Sequence, residues 1–152
     1  MDFFDLILAG DFEKIKSFVA TGGVNLNYID STGDSYLQNV IGKNTNYDIL
    51  EFLINNGANI NLVDSQYGSA LHKAVFIVDY LLIEYLLNRG ANINVVDNDG
   101  ETPIYWAIRC GNEEMVEFLL SHNADYMHML YGISVKERIL REFPKFKSIW
   151  FI

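Results

Sequence analysis

At 152 residues, half of them apolar, a fifth charged and only two proline, the chain is long enough to bury one core without disulfides or metals and too apolar for disorder. Its formal charge of −9 and pI near 4.6 exclude recognition of a phosphate backbone, which needs clustered Lys and Arg to release counterions. The charge is unevenly placed: residues 1–135 carry six Lys/Arg against eighteen Asp/Glu, while residues 136–152 carry five against two, so an acidic body meets a basic tail.

Taken in chain order, the first element is a helix from Asp2 to Ala9 with no preceding arm, followed by Gly10 and Asp11, a turn and an N-cap. The opening MDFFDLILAGD has acids where a secretion signal needs a basic segment, and the lone Cys110 has no partner for an intrachain disulfide. A cytosolic setting is therefore expected. A second helix ends near Phe18, Val19 and Gly22, and a second unit runs over about 30–63, with Gly33-Asp34-Ser35-Tyr36-Leu37-Gln38 at its start and one extra residue in the loop GKNTNY. That insertion makes its register the least certain of the set.

The third unit contains AVFIVDYLLIEYLL, Ala74 to Leu87. Fourteen helical residues reach about 21 Å, short of a hydrocarbon core of about 30 Å, and Asp79 and Glu84 interrupt the run, so a membrane span is excluded. The stretch is part of a repeat. Gly57-Ala58-Asn59-Ile60-Asn61 recurs 33 residues later as Gly90-Ala91-Asn92-Ile93-Asn94, and 33 after that as Asn123-Ala124-Asp125. Aligning the units places Asp11, Asn46, Asp79 and Asn112 at one position, each able to accept a hydrogen bond from an orphan N–H. Ala74 to Leu87 is thus two helices with Asp79 capping the second. Gly57 and Gly90 fall just past each second helix, where a positive φ is usual, and Gly111 breaks the first helix of the fourth unit. Residues 130–143, LYGISVKERILREF, form a degenerate fifth unit that Pro144 stops, and SIWFI closes the chain.

The segment Asp97-Asn98-Asp99-Gly100-Glu101-Thr102-Pro103-Ile104, with Gly111-Asn112 and Leu119-Leu120 behind it, resembles the ankyrin repeat, and Ser69-Ala70-Leu71-His72-Lys73-Ala74 resembles that family's Thr-Pro-Leu-His-x-Ala stretch. The resemblance implies an all-α solenoid of about four helix-turn-helix repeats (1–29, 30–63, 64–96, 97–129) with short β-hairpin arms, and a capping helix and tail at 130–152. It also implies that His72 is structural and ties its turn to the neighbouring repeat. The second repeat departs from the pattern, having neither the Pro nor the His.

Catalytic and metal chemistry find no foothold in the sequence. His122 and His128 lack zinc spacing, Glu51, Glu84 and Glu117 repeat along one surface instead of converging, and Cys110 has only Arg109 beside it. A small buried or concave-face thiol is the expectation, with a thiol enzyme the alternative; no cofactor and no metal are expected. In ankyrin-like proteins binding uses arm tips and the concave face of the first helices. By position this brings forward Ser31, Thr32, Asp34 and Asn39 in the second unit, Ser65, Gln66, Tyr67, Lys73, Phe76 and Ile77 in the third, and Asn98, Asp99, Glu101, Trp106 and Arg109 in the fourth.

Phe76, Ile77 and Val78 stand where the fourth unit has Arg109, Cys110 and Gly111; they are either an exposed apolar cluster or tucked under the second unit's loop. Trp106 is either an interface anchor within an acidic rim of Asp99 and Glu101 or an inward ring covering the next helix. SIWFI either packs back as a lid or stays free for docking. The expected function is non-catalytic binding of a folded, basic protein by a chain that is monomeric when free, with no nucleic acid and no membrane. Inhibition of the partner, as an immunity protein, an antitoxin or a viral decoy of host signalling, is the narrower alternative, and self-assembly through SIWFI another.

Overall fold

A computed structural model describes residues 2–31, 33–42 and 44–150, without the side chains of Ile149 and Trp150. Helices pair in order: α1 (Phe3–Ala9) with α2 (Phe12–Ala20), α3 (Tyr36–Val40) with α4 (Tyr47–Asn55), α5 (Ala70–Phe76) with α6 (Tyr80–Asn88), and α7 (Pro103–Arg109) with α8 (Glu113–Ser121). A hairpin of β1 (Met129–Leu130) and β2 (Ile133–Ser134) leads into α9 (Val135–Glu142), a 3-10 turn (Pro144–Phe146) and α10 (Lys147–Trp150). First helices pack on first helices, α1 on α3, α3 on α5, α5 on α7 and α7 on α9, which is a solenoid.

The four aligned caps do what their residue types allow. Asp11 accepts from Lys14 N–H at 3.2 Å, Asn46 from Ile49 at 3.1 Å, Asp79 from Leu82 at 3.0 Å and Asn112 from Met115 at 3.0 Å. Inward residues of the second helices repeat as Ile49, Leu50, Leu53, then Leu82, Ile83, Leu86, then Met115, Val116, Leu119, all at most 1 % exposed. Each such side chain contributes about 1.5–3 kcal/mol when fully buried, so the period-3.6 face holds each helix on the next. Phe146 and Ile139 close the far end, and Phe3, Leu6 and Ile7 the near one. The expected lid of SIWFI lies beyond the described side chains, Ser148 apart, which is exposed.

Two sets of bonds across repeats fix the register. In the arms Asn27 Oδ1 accepts from Asn59 N–H at 2.6 Å, Asn61 from Asn92 at 2.7 Å and Asn94 from Asp125 at 2.8 Å. Asn25, Asn59, Asn92 and Asp125 turn their own side chains onto the backbone two residues on, shaping each arm for the next. Met127 stands where the next ladder Asn would be, and the series stops. Among the described residues the arms are reduced to single bridges, Ile29 with Ser35 and Asp64 with Gly68, and only the last forms a two-residue hairpin.

The second set joins first helices. Ser69 N–H donates to His72 Nδ1 at 3.1 Å, which leaves the proton on Nε2 to donate to the Glu101 carbonyl at 3.0 Å. The second repeat lacks the histidine, yet its register is held by the same link: Gln38 Nε2 donates to the Gly68 carbonyl at 2.7 Å. Gly68 and Glu101 each precede the N-cap of the following first helix, Ser69 and Thr102. At the arm tips Gly33 (φ +92°) accepts from Ser65 N–H at 3.2 Å, and a Cβ there would lie 1.6 Å from Ser65 Oγ. No side chain fits.

The turn between α5 and α6 breaks the pattern. The first and fourth units use Gly10 (φ 66°) and Gly111 (φ 68°), whereas the third holds Val78 at φ 58°. A β-branched residue in the left-handed region costs about 1–2 kcal/mol, and only the packing of both flanking helices keeps it there. Val78→Gly, measured by urea denaturation, is expected to raise stability by about 1 kcal/mol after glycine's entropy loss is set against the relieved strain.

Burial holds the His72 imidazole below its ordinary value of 6.5, with the bond to Glu101 and the charge of Asp97 opposing. The unfolded chain then binds a proton near 6.5 that the folded chain refuses, so this contribution is whole above pH 6.5 and falls away as pH drops toward the lowered folded value. Denaturation midpoints should decline below pH 6.5 in the parent and be flatter there in His72→Gln, which copies the Gln38 link without a titrating ring.

Candidate protein-binding surface

Arm tips and the inner faces of α3, α5 and α7 form one continuous surface, and its backbone is set by two aspartates. Buried Asp64 accepts from Gln66 N–H at 3.1 Å and Tyr67 N–H at 2.9 Å through one oxygen and from Ser35 N–H and hydroxyl at 3.3 Å through the other. Asp97 accepts from the N–H groups of Asp99 and Glu101 at 2.9 Å, and its second oxygen takes the Trp106 indole N–H at 2.8 Å. These turns point Ser65, Gln66, Asn98 and Asp99 outward, all exposed. Asn98 also donates to the Asp64 carbonyl at 3.2 Å, fastening one tip to the last. In the second unit Ser31 is exposed and Asp34 half-buried; Thr32 lies outside the described residues.

Below the tips runs an aromatic ledge. Tyr67 and Phe76 rings lie 6.2 Å apart, Phe76 meets Trp106 edge-on at 6.2 Å, and Trp106 tilts over His72 at 5.2 Å. Cations bracket it: Lys73 Nζ sits 4.5 Å over Tyr67 and Arg109 5.2 Å over Trp106. Lys73 also donates to the Gln38 carbonyl at 2.7 Å, and burial lowers its pKa against the pull of Asp64 and Asp34. Phe76 is 53 % exposed, Tyr67 and Ile77 are half-buried, and Asn39 is half-buried with its amide turned back onto Ser35.

Several sequence-based expectations change here. Glu101 is no rim acid: it is 5 % exposed and accepts from Arg109 at 2.6 Å, because the turn from Asp97 rolls its side chain under the α7 helix start. Trp106 takes the inward course, 8 % exposed, since its indole N–H is held by Asp97. The cluster of Phe76, Ile77 and Val78 is not tucked under the second unit's loop; Phe76 and Val78 are 53 % and 45 % exposed. Of the two places expected for Cys110, the buried one is ruled out: it is the exposed C-cap of α7.

Part of the remaining polar surface is structural. Glu51 pairs with Arg89, and Lys145 reaches Glu113 at 3.1 Å and Glu117 at 2.9 Å, so the basic tail is clipped to the last acidic helix. His122 Nδ1 lies 2.8 Å from the Phe118 carbonyl and His128 Nε2 3.1 Å from that of Gly100, which commits both rings to backbone. Among the described residues no three His, Cys, Asp or Glu gather as a metal site, and no helix is long and apolar enough to cross a membrane.

A family model described as ankyrin repeats in three copies matches the chain over residues 6–96 and 37–129. The chain belongs to the ankyrin repeat family, whose members generally mediate protein–protein interaction and are typically non-catalytic. No curated protein matches it in comparison.

Burial raises the Glu101 carboxyl above its ordinary 4.5, with Arg109 opposing and Asp97 and Asp99 adding to the rise. Removing Arg109 leaves that carboxylate uncompensated. Arg109→Ala should therefore lower stability by about 1–2 kcal/mol at pH 7, by urea denaturation. An acid whose folded pKa is raised loses stability as pH climbs from the unfolded value through the folded one, so the deficit should shrink on acidification toward pH 4.5, and Glu101→Gln should recover part of it.

Proposed function

We propose that the chain is a stoichiometric, non-catalytic binder that docks a folded, basic protein across the arm tips and the aromatic ledge. The observation that carries this reading is the half-exposed Phe76, flanked by Tyr67 and Trp106 and standing below the exposed Ser65, Gln66, Asn98 and Asp99. Such a group, an apolar anchor on rigid helices with a polar border, is the composition of an interface centre. Asp34 and Asp99 supply the acidic side of the border, and the excess of acids in residues 1–135 favours a partner of opposite sign. Lys73 and Arg109 serve the ledge locally, held by Gln38 and Glu101, and keep its rings in place.

A module of this kind acts by occupancy, so it inhibits when it covers a working surface and scaffolds when it does not. The exposed, unpaired Cys110 supports a reducing, cytosolic setting, and the ladder that stops at Met127 supports a free chain that does not extend end to end. Affinity capture of the intact chain at low and moderate salt, followed by mass spectrometry, should retain one basic protein that salt releases. Phe76→Ala should weaken that complex by about tenfold or more and Asp99→Lys should slow its association. A captured partner indifferent to both substitutions removes this reading. Assaying the partner's own activity with and without the chain separates inhibition from scaffolding.

A further inference from the structure

The turn between α5 and α6 departs from its repeat at two neighbouring positions, both toward exposed apolar surface. The second residue of each outer helix is Glu13 in α2, Asp48 in α4 and Glu114 in α8, each exposed, as the positive end of a helix favours. In α6 the same position is Leu81, 76 % exposed, the most exposed large apolar side chain among those described. Three residues earlier stands Val78, 45 % exposed and strained at φ 58° where Gly10 and Gly111 are relaxed. Neither choice helps the fold: an acid would serve the helix start better and a glycine the turn.

The two side chains share a shallow recess with Ile77, Asp79, Tyr80 and Gly42, at the turn that follows the C-terminal end of α5. Among the described residues its surroundings are acidic, Asp79 itself lining the recess. Asp48 and Glu114 flank Leu81 at the equivalent positions of the neighbouring helices, and Glu84, exposed, lies one turn further along α6. The cations Arg89 and Lys145 on the outer-helix side are already held, by Glu51 and by Glu113 with Glu117. What fits an apolar recess bordered by carboxylates is an apolar side chain bordered by Lys or Arg.

We infer that Val78 and Leu81 form a second docking site, which receives an apolar side chain flanked by basic residues on a partner protein. Local sequence rules broken together at an exposed position, at a cost to stability, mark a surface selected for contact. The inference rests on the chain's being a protein-binding module and not on the arm tips and ledge as the place of binding.

The test uses the full ¹⁵N-labelled chain and two synthetic amphipathic helical peptides, one showing Leu and Phe bordered by Lys, the other with every Lys replaced by Glu. The Lys peptide should bind, shift amide signals from residues 77–84, and weaken as salt rises. Leu81→Glu, which restores the acid of the other repeats and should not lower the Tm, should weaken binding by about tenfold or more, and Val78→Gly by less. Equal binding of the Glu peptide, or unchanged affinity in folded Leu81→Glu, overturns the proposal. Shifts confined to residues 65–67 and 98–99 overturn it while leaving the tip-and-ledge reading intact. Sedimentation that reveals self-association abolished by Leu81→Glu makes a second copy of this chain the occupant and overturns the basic partner.

Discussion

Carboxamide oxygens of Asn27, Asn61 and Asn94 each reach the backbone N–H of the next arm, 31 or 32 residues along the chain, and this one contact sets the spacing on which everything else depends. A single helix pair has an apolar face and nothing of its own to cover it, so stacking is obligatory. Hydrophobic burial alone would tolerate sliding, since Leu and Ile make no directional bonds. The amide ladder on one edge and the His72 and Gln38 links on the first helices remove that freedom. Once arms and first helices are locked, the tips are stacked too, and Gly33, at a positive φ, lies against Ser65.

The same links bring together residues far apart in sequence into one surface. Asp64 belongs to the third unit but satisfies the cap of the second, and Asn98 of the fourth bonds the carbonyl of Asp64. Each tip is therefore held by its neighbour, which makes the border of the candidate surface rigid and limits the ordering cost of binding. At the C-terminal end two cations of the basic segment are used internally, Lys145 clipped to Glu113 and Glu117 and Arg138 donating to the Tyr105 hydroxyl. That leaves the acidic character of the body on the open edges.

Strain and exposure concentrate in the third unit. The first and fourth units place glycine at the left-handed position of this turn, and α2, α4 and α8 carry an acid near the dipole, while Val78 and Leu81 follow neither pattern. The unit also supplies Phe76 and Tyr67 to the ledge. One repeat thus offers apolar groups to both the ledge and the recess, and the units beside it provide polar borders.

How much of this was legible before folding depends on the range of the interaction. The caps Asp11, Asn46, Asp79 and Asn112, the division of Ala74 to Leu87 into two helices, the solenoid and its family were all readable from sequence, because capping and apolar periodicity act within a few residues and the repeat multiplied each signal. The exposure of Phe76 and Val78 was open between two readings, and the burial of Glu101 was missed. Gln38 as the stand-in for histidine also went unread, since a glutamine in a helix has no mark of its own. Those outcomes turn on groups that local patterning does not reach: Gln38 matters because Gly68, 30 residues on, presents a carbonyl to it, and Trp106 points inward because Asp97, nine residues back, has an oxygen left to accept its N–H. Local hydrogen bonding and periodicity are written in the order of residues. Which side chains end inside and which are left to meet a partner is decided only when the turns close and the repeats stack, because a buried polar group needs a partner, in its own repeat or the next, that only the folded chain brings to it.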